Sequence, residues 1–240
     1  MQNIIIEKPY EFIPPYESRF WRPLVEMYLP RANRKLNGIV DVEFRGTEHL
    51  KESLAAGHGI LLTPNHSRPA DPFVMGMLSK VVGSPFFFVA SWHAFMQGWL
   101  SRFLLRRMGA FSIYREGMDK QALNASVDIL TEARRPLVIF PEGVITRTND
   151  LLVSLMEGTS FIAKRAAKKK EGKVVVHPIA IRYLFQGDLK ESIDPVLTEI
   201  ETRLTWRPQR DLELYERVVK VGSALLGLKE VEFMEEPFRG

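Results

Sequence analysis

Short apolar runs alternate with longer amphipathic stretches through the middle of the chain. Leu137 to Phe140 is continuously apolar, as expected of a strand buried on both faces. Gly59 to Thr63, Phe86 to Ala90, Ala110 to Tyr114 and Val174 to Tyr183 read as further strands. Between them the period lengthens. Asp71-Pro72 opens a helix, with Asp71 as N-cap and the proline at the first helical position. Trp92 to Met108 repeats at helical spacing. Asp119 to Arg134 puts Leu123, Val127 and Leu130 on one face, and Ser154 to Lys169 is a helix stopped near Gly172. Leu189 to Thr205 and Leu212 to Leu226 read as closing helices. Residues 1–40, rich in aromatics, proline and arginine, are expected to form an N-terminal helical segment of one or two helices. Alternating strand and helix predicts an α/β fold over residues 41–240. It is a single domain with a mostly parallel or mixed central sheet flanked by helices.

Composition adds exclusions. The 240 residues are 45% apolar and 26% charged, ordinary for a globular chain and unlike a disordered or polytopic membrane protein. The net charge of +4 is too small to argue for nucleic acid and favours anionic partners such as phosphates or acidic lipids. The absence of cysteine removes disulfide scaffolds, Cys-ligated metals and Cys nucleophiles. Val81 to Ser101 carries no charged residue and is long enough to span a bilayer. Its glycines, Pro85 and mid-course change of period make it a strand plus an amphipathic helix instead. Ile4 to Ile6 are too few for a signal-peptide core.

No P-loop, dinucleotide fingerprint, H-E-x-x-H or G-x-S-x-G pattern occurs, and the five histidines show no metal spacing. Four features remain. Directly after the first strand comes Asn65-His66-Ser67-Arg68-Pro69-Ala70-Asp71, at a strand-to-helix turn where open α/β sheets place ligands. A histidine there can take a proton from a hydroxyl, and a carboxylate on its other nitrogen would hold the tautomer. Equally, Asp71 serves as a helix cap and His66 as a turn residue. Phe140-Pro141-Glu142-Gly143 follows a buried strand, with Arg147 four residues on, and its position puts Glu142 near the sheet edge of His66; Glu142 also suits a solvated turn. Gly109-Ala110-Phe111-Ser112-Ile113-Tyr114-Arg115 ends in an arginine that could bind phosphate bidentately or be an ordinary surface arginine. Pro178 inside the last strand indicates an edge, a bulge or a strand start.

In this order the four features resemble the glycerolipid acyltransferase family, which includes the glycerol-3-phosphate and 1-acylglycerol-3-phosphate acyltransferases. The matches are Asn65/His66/Asp71, Gly109/Phe111/Arg115, Phe140 to Gly143, and Pro178, over roughly residues 40 to 185. The resemblance implies acyl transfer from acyl-CoA or acyl-carrier protein, a co-substrate and not a bound cofactor, to a glycerolipid hydroxyl. It makes His66 the general base and Asp71 its orienting carboxylate, with no acyl-enzyme. It assigns the acceptor, typically through its phosphate, to Arg115 and the turn of Pro141, Glu142 and Gly143, with Asn65, Arg68, Gly109 and Arg147 as accompanying binding positions. Two departures stand out. Arg68 replaces a serine usual two positions after the histidine, and Val144-Ile145 replace the Thr-Arg usual after F-P-E-G, with Arg147 beyond. Competing readings are an acyl-thioester hydrolase and a catalytically silent lipid-binding protein.

A lipid substrate requires a membrane surface as partner, met peripherally from the cytoplasmic side. Trp92, Phe95, Met96, Trp99, Leu100, Phe103 and Leu104, with Arg102, Arg106 and Arg107 at the C-terminal end, suit an interfacial helix or a core-facing one. The segment around Phe20, Trp21 and Arg22 is a second candidate contact. Lys164, Arg165, Lys168, Lys169, Lys170 and Lys173 form a solvated helix end or a site for acidic lipid, CoA phosphates or an acidic carrier.

Overall fold

The computed structural model describes residues 8–17, 21–204 and 207–233. Ile4 to Ile6 and Phe20 lie outside them, as does the side chain of Arg22 within its helix. The chain forms two compact units, Met1–Arg182 and Tyr183–Gly240.

Among its described residues the first unit is built on five strands: β1 (Gly59–Pro64), β2 (Phe87–Ser91), β3 (Ala110–Ile113), β4 (Leu137–Val138) and β5 (Val174–Ile179). They run in the order β3-β2-β4-β1-β5, and every pairing is parallel. Among the described residues of this unit the helices are α1 (Trp21–Asn37), α2 (Thr47–Ala55), α3 (Asp71–Val81), α4 (Trp92–Phe95), α5 (Trp99–Arg107), α6 (Lys120–Glu132) and α7 (Glu157–Lys169). Side chains alternate across the pleat. Leu61, Phe87, Phe111 and Leu137 form one core with Val127, Leu130, Ile162 and Ala166 of α6 and α7. Their neighbours Ile60, Leu62, Phe88 and Val138 turn to the opposite face and are buried there. Helices therefore flank the sheet, as the apolar runs predict, and the sheet is all-parallel.

Several boundaries differ from the sequence reading for identifiable reasons. The β4 ladder is two residues long. Ile139 still donates its N–H to Leu62 O, but Pro141 has no N–H, and the chain turns there with Gly143 N on Phe140 O. The expected helix from Trp92 is two helices, α4 and α5. The chain leaves α4 at Met96 and passes through Gly98 at φ 137°, a conformation that side chains disfavour. Among the described residues of the N-terminal forty there is one helix, α1, preceded by an extended strap over residues 8–17. Ile13 is buried and exchanges hydrogen bonds with Ser112 of β3, its N–H to Oγ and its carbonyl from the Ser112 N–H. The Tyr10 hydroxyl donates to Asp119, the N-cap of α6, and its ring stacks on Tyr114. Burial and then this bond push the Tyr10 hydroxyl up to about 12.

β5 is an edge strand, one of the three placements that Pro178 allows. The carbonyls of Lys173 and Ile179 bond to Gly59 N and Asn65 N, so residues of that parity face β1 and Pro178 faces away.

The second unit holds α8 (Leu189–Arg203) and α9 (Leu214–Phe233). Arg217 of α9 is fully buried and binds Glu201 through Nε and Nη2, Asp194 through Nη1 and Thr198 through Nη2. The arginine holds Glu201 below the usual carboxylate range.

Candidate active site

His66 lies two residues past β1, in the turn that leads into α3. The turn is closed by the Asp71 N–H on Arg68 O. Asp71 occupies the first residue of α3, with Ala70 at the cap position and no side-chain capping bond. The expectation of an Asp71 N-cap is therefore corrected. Its carboxylate points back into the turn, where Oδ2 accepts from the Arg68 N–H at 2.9 Å and meets His66 Nδ1 at 2.8 Å. The Asp71 side chain is 0% exposed and that of His66 16%. An ionised carboxylate at this distance holds the proton on Nδ1. Nε2 makes no hydrogen bond within the described chain and is not sealed from solvent. It is the nitrogen left to accept a proton.

The loop after β4 grips His66 on three sides. β4 lies beside β1, pairing Leu61 with Leu137 and Leu62 with Val138, so both strands deliver their loops to one edge. Glu142 Oε1 accepts the His66 backbone N–H at 2.6 Å. Thr146 donates to the His66 carbonyl from its N–H at 2.9 Å and from Oγ1 at 3.2 Å. The Phe140 ring stacks on the imidazole, with centroids 4.2 Å apart and planes 27° from parallel. Glu142 is only 5% exposed, and its Oε2 is buried without a partner. An unsatisfied buried acceptor costs about 1–3 kcal/mol, an arrangement that calls for a functional explanation.

The remaining predicted positions fall at different distances from this centre. Pro141 is buried, and its carbonyl accepts the Met156 N–H. Gly143 has φ 67°, and a Cβ there would stand 2.3 Å from Met156 Sδ. Arg147 is exposed and adopts φ 58°, a left-handed conformation strained for a residue other than glycine. Asn65 spends both ends of its amide on the backbone of Ile181, accepting at 2.6 Å and donating at 3.0 Å, so it fixes the chain past β5 beside the histidine turn. Arg68 is exposed and reaches the carbonyl of Asn37. Gly109 is required by packing, since a Cβ would lie 2.6 Å from Phe86 O. Arg115 is exposed just beyond β3, three strands from β1, or about 14 Å at ordinary spacing. Glu142, Thr146 and Phe140 thus touch His66 directly, while Arg115 stands apart at the sheet border. The sequence marked Phe140 only as part of a motif and gave no sign of Thr146, whose role depends on how the loop folds back.

A histidine with one nitrogen anchored to a buried carboxylate and the other open can serve as a base toward a hydroxyl. The neighbouring loop supplies the order that such a base requires. The family model described as Acyltransferase matches residues 41–182, ending where the first compact unit ends. That match covers more than half of the chain, includes every motif gathered around this turn, and agrees with the glycerolipid acyltransferase resemblance: the chain belongs to the acyltransferase family.

Proposed function

We propose that the chain transfers a fatty acyl group from an acyl thioester, acyl-CoA or acyl-carrier protein, to a hydroxyl of a glycerophospholipid-type acceptor such as lysophosphatidate, with His66 as general base. The observation that carries this reading is the 2.8 Å contact between His66 Nδ1 and buried Asp71, with Nε2 left free. In the proposed step the acceptor oxygen bonds to the thioester carbonyl carbon as the C–S bond breaks. The hydroxyl proton passes to His66 Nε2 and on to the departing thiolate. The products are an ester and a free thiol, and no acyl-enzyme forms. Asp71 stabilises the transient imidazolium and fixes the ring, while Glu142, Thr146 and Phe140 hold it in place. Exposed Arg147, adjacent to Thr146, and Arg115 at the sheet border are the groups offered to an acceptor phosphate.

The test is a purified-protein assay with labelled acyl-CoA or acyl-carrier protein and a panel of lysolipids plus glycerol 3-phosphate, read by mass spectrometry. An acylated acceptor made by the wild type and lost in His66→Ala is expected. Donor consumption yielding only free fatty acid would make the chain a thioester hydrolase. Turnover surviving in a folded His66→Ala protein would remove the proposed base.

A further inference from the structure

Helix α5 carries chemistry that neither the core nor the His66 turn uses. The stretch from Trp92 divides into two parts with opposite fates. Trp92 and Phe95 of α4 are buried, whereas on α5 Trp99 is 80% exposed, Leu100 53% and Leu104 47%. Arg102, Arg106 and Arg107 line a cleft of about 370 Å³ with Tyr16, Trp99 and Phe103. Among the described residues no carboxylate pairs with any of these three arginines, although exposed arginines elsewhere, such as Arg134 and Arg203, do pair. The Arg107 guanidinium lies over the rings of Tyr16 at 4.4 Å, Phe103 at 4.8 Å and Trp21 at 5.3 Å, which keeps it extended along the surface. The Nε atoms of Arg106 and Arg107 are buried without an acceptor. At helical spacing Arg102 and Arg106 form one border of an arc, Leu100 and Leu104 the other, with Trp99, Phe103 and Arg107 between.

In water this arrangement is unfavourable on three counts: clustered like charge, donors without acceptors, and a bare indole beside two leucines. One partner relieves all three, because it carries phosphates at one depth and hydrocarbon just beneath them. We propose that α5 docks the chain on an anionic phospholipid surface. A lipid phosphate sits in the cleft of Arg102, Arg106 and Arg107, while Trp99, Leu100 and Leu104 enter the boundary between headgroups and acyl chains. Charge complementarity selects this occupant, and an arginine-bordered aromatic face is the composition of an interfacial helix. α4 leaves β2 at the sheet edge that also carries His66, and α5 runs back from there to the start of β3, so Trp99 and Leu100 lie toward the edge of the base and Arg106 and Arg107 toward the opposite edge.

The test is flotation of the full chain with vesicles of phosphatidylcholine alone or mixed with phosphatidylglycerol, with no acyl donor present. Its failure is therefore separate from failure of the acyl-transfer reading. Binding is expected to require the anionic lipid, weaken in high salt and shift tryptophan emission to the blue. Arg102→Gln/Arg106→Gln/Arg107→Gln should lower the partition coefficient roughly a hundredfold, about fivefold per arginine. Trp99→Phe should abolish most of the emission shift. The triple variant should retain transfer to a water-soluble short-chain acceptor. If circular dichroism shows the triple variant unfolded, exposed Arg102→Gln alone carries the test, with about a fivefold loss expected. Equal binding by variant and wild type, equal binding to neutral vesicles, or a blue shift that survives Trp99→Phe would overturn the proposal. So would a wild type that ignores vesicles but binds an acidic peptide or oligonucleotide.

Discussion

With Nδ1 of His66 tied to Asp71, the imidazole has one nitrogen left for chemistry. His66→Ala should lower kcat about 10²- to 10⁴-fold with little change in melting temperature, because the ring makes one stack and one bond while the backbone contacts remain. Asp71→Asn should cost nearly as much by another route. An amide N–H facing Nδ1 reverses the tautomer and places the proton on Nε2, so the base is lost, and the same group cannot accept the Arg68 N–H that Oδ2 holds, so the turn loosens as well. Rate profiles of the two folded variants check this, and an active Asp71→Asn enzyme would mean that the tautomer is set elsewhere. Arg147 offers opposite signs in one substitution. Its φ of 58° is strained, so Arg147→Gly should raise stability by up to about 1 kcal/mol while raising the acceptor KM. A KM unchanged in a stabilised variant would remove Arg147 from the binding site.

At the level of elements, the loop after β4 is the piece that turns a histidine in a turn into a positioned base. Gly143→Ala tests this at one remove. A methyl group would meet Met156 Sδ, and the residue would have to keep φ 67°. The expected cost is about 1–2 kcal/mol of stability from the backbone alone, with kcat reduced because Glu142, the preceding residue, is displaced from the His66 N–H. Thermal melts and kcat together check it, and full activity would show that the loop adapts. Much of this arrangement was legible beforehand. The Leu137–Phe140 run located β4, and strand adjacency put Glu142 near His66, because local apolar periodicity reports burial directly. The direction of the Asp71 carboxylate was not legible. A cap and a histidine partner demand the same residue at the same spacing, and only the path of the turn decides between them. The break at Gly98 was also hidden, since residues before and after it keep one helical period although α4 buries Trp92 and Phe95 and α5 buries none of its residues. Thr146 and the strap over residues 8–17 depend on contacts distant in sequence, which no local pattern encodes.

At the scale of the whole molecule, pH should act on the two units separately. Glu201 is held below its ordinary range by Arg217, so the stability it gives the second unit is present above the unfolded value of 4.5 and is lost as pH falls through the lower folded value. Arg217→Met would leave Glu201 buried and unpaired, at a cost of about 3–5 kcal/mol, and should uncouple α8 from α9 in hydrogen exchange. Tyr10 has the opposite sign. Its raised value stabilises the strap below pH 10, and that contribution disappears as pH rises from 10.0 to about 12. Tyrosinate absorbance that appears late, together with strap exchange, follows this release. The strap has a further consequence for what the protein does not become. A five-stranded sheet ends in two open backbones, each a template on which a second copy could add a strand. On β5 the outward position of Pro178 offers no donor. On β3 the donor of Ser112 is already taken by Ile13. A chain lacking residues 1–17 should therefore pair through its bared β3 edge into dimers, seen as a doubled mass in light scattering. A truncated chain that stays monomeric would show that β3 is guarded by something else.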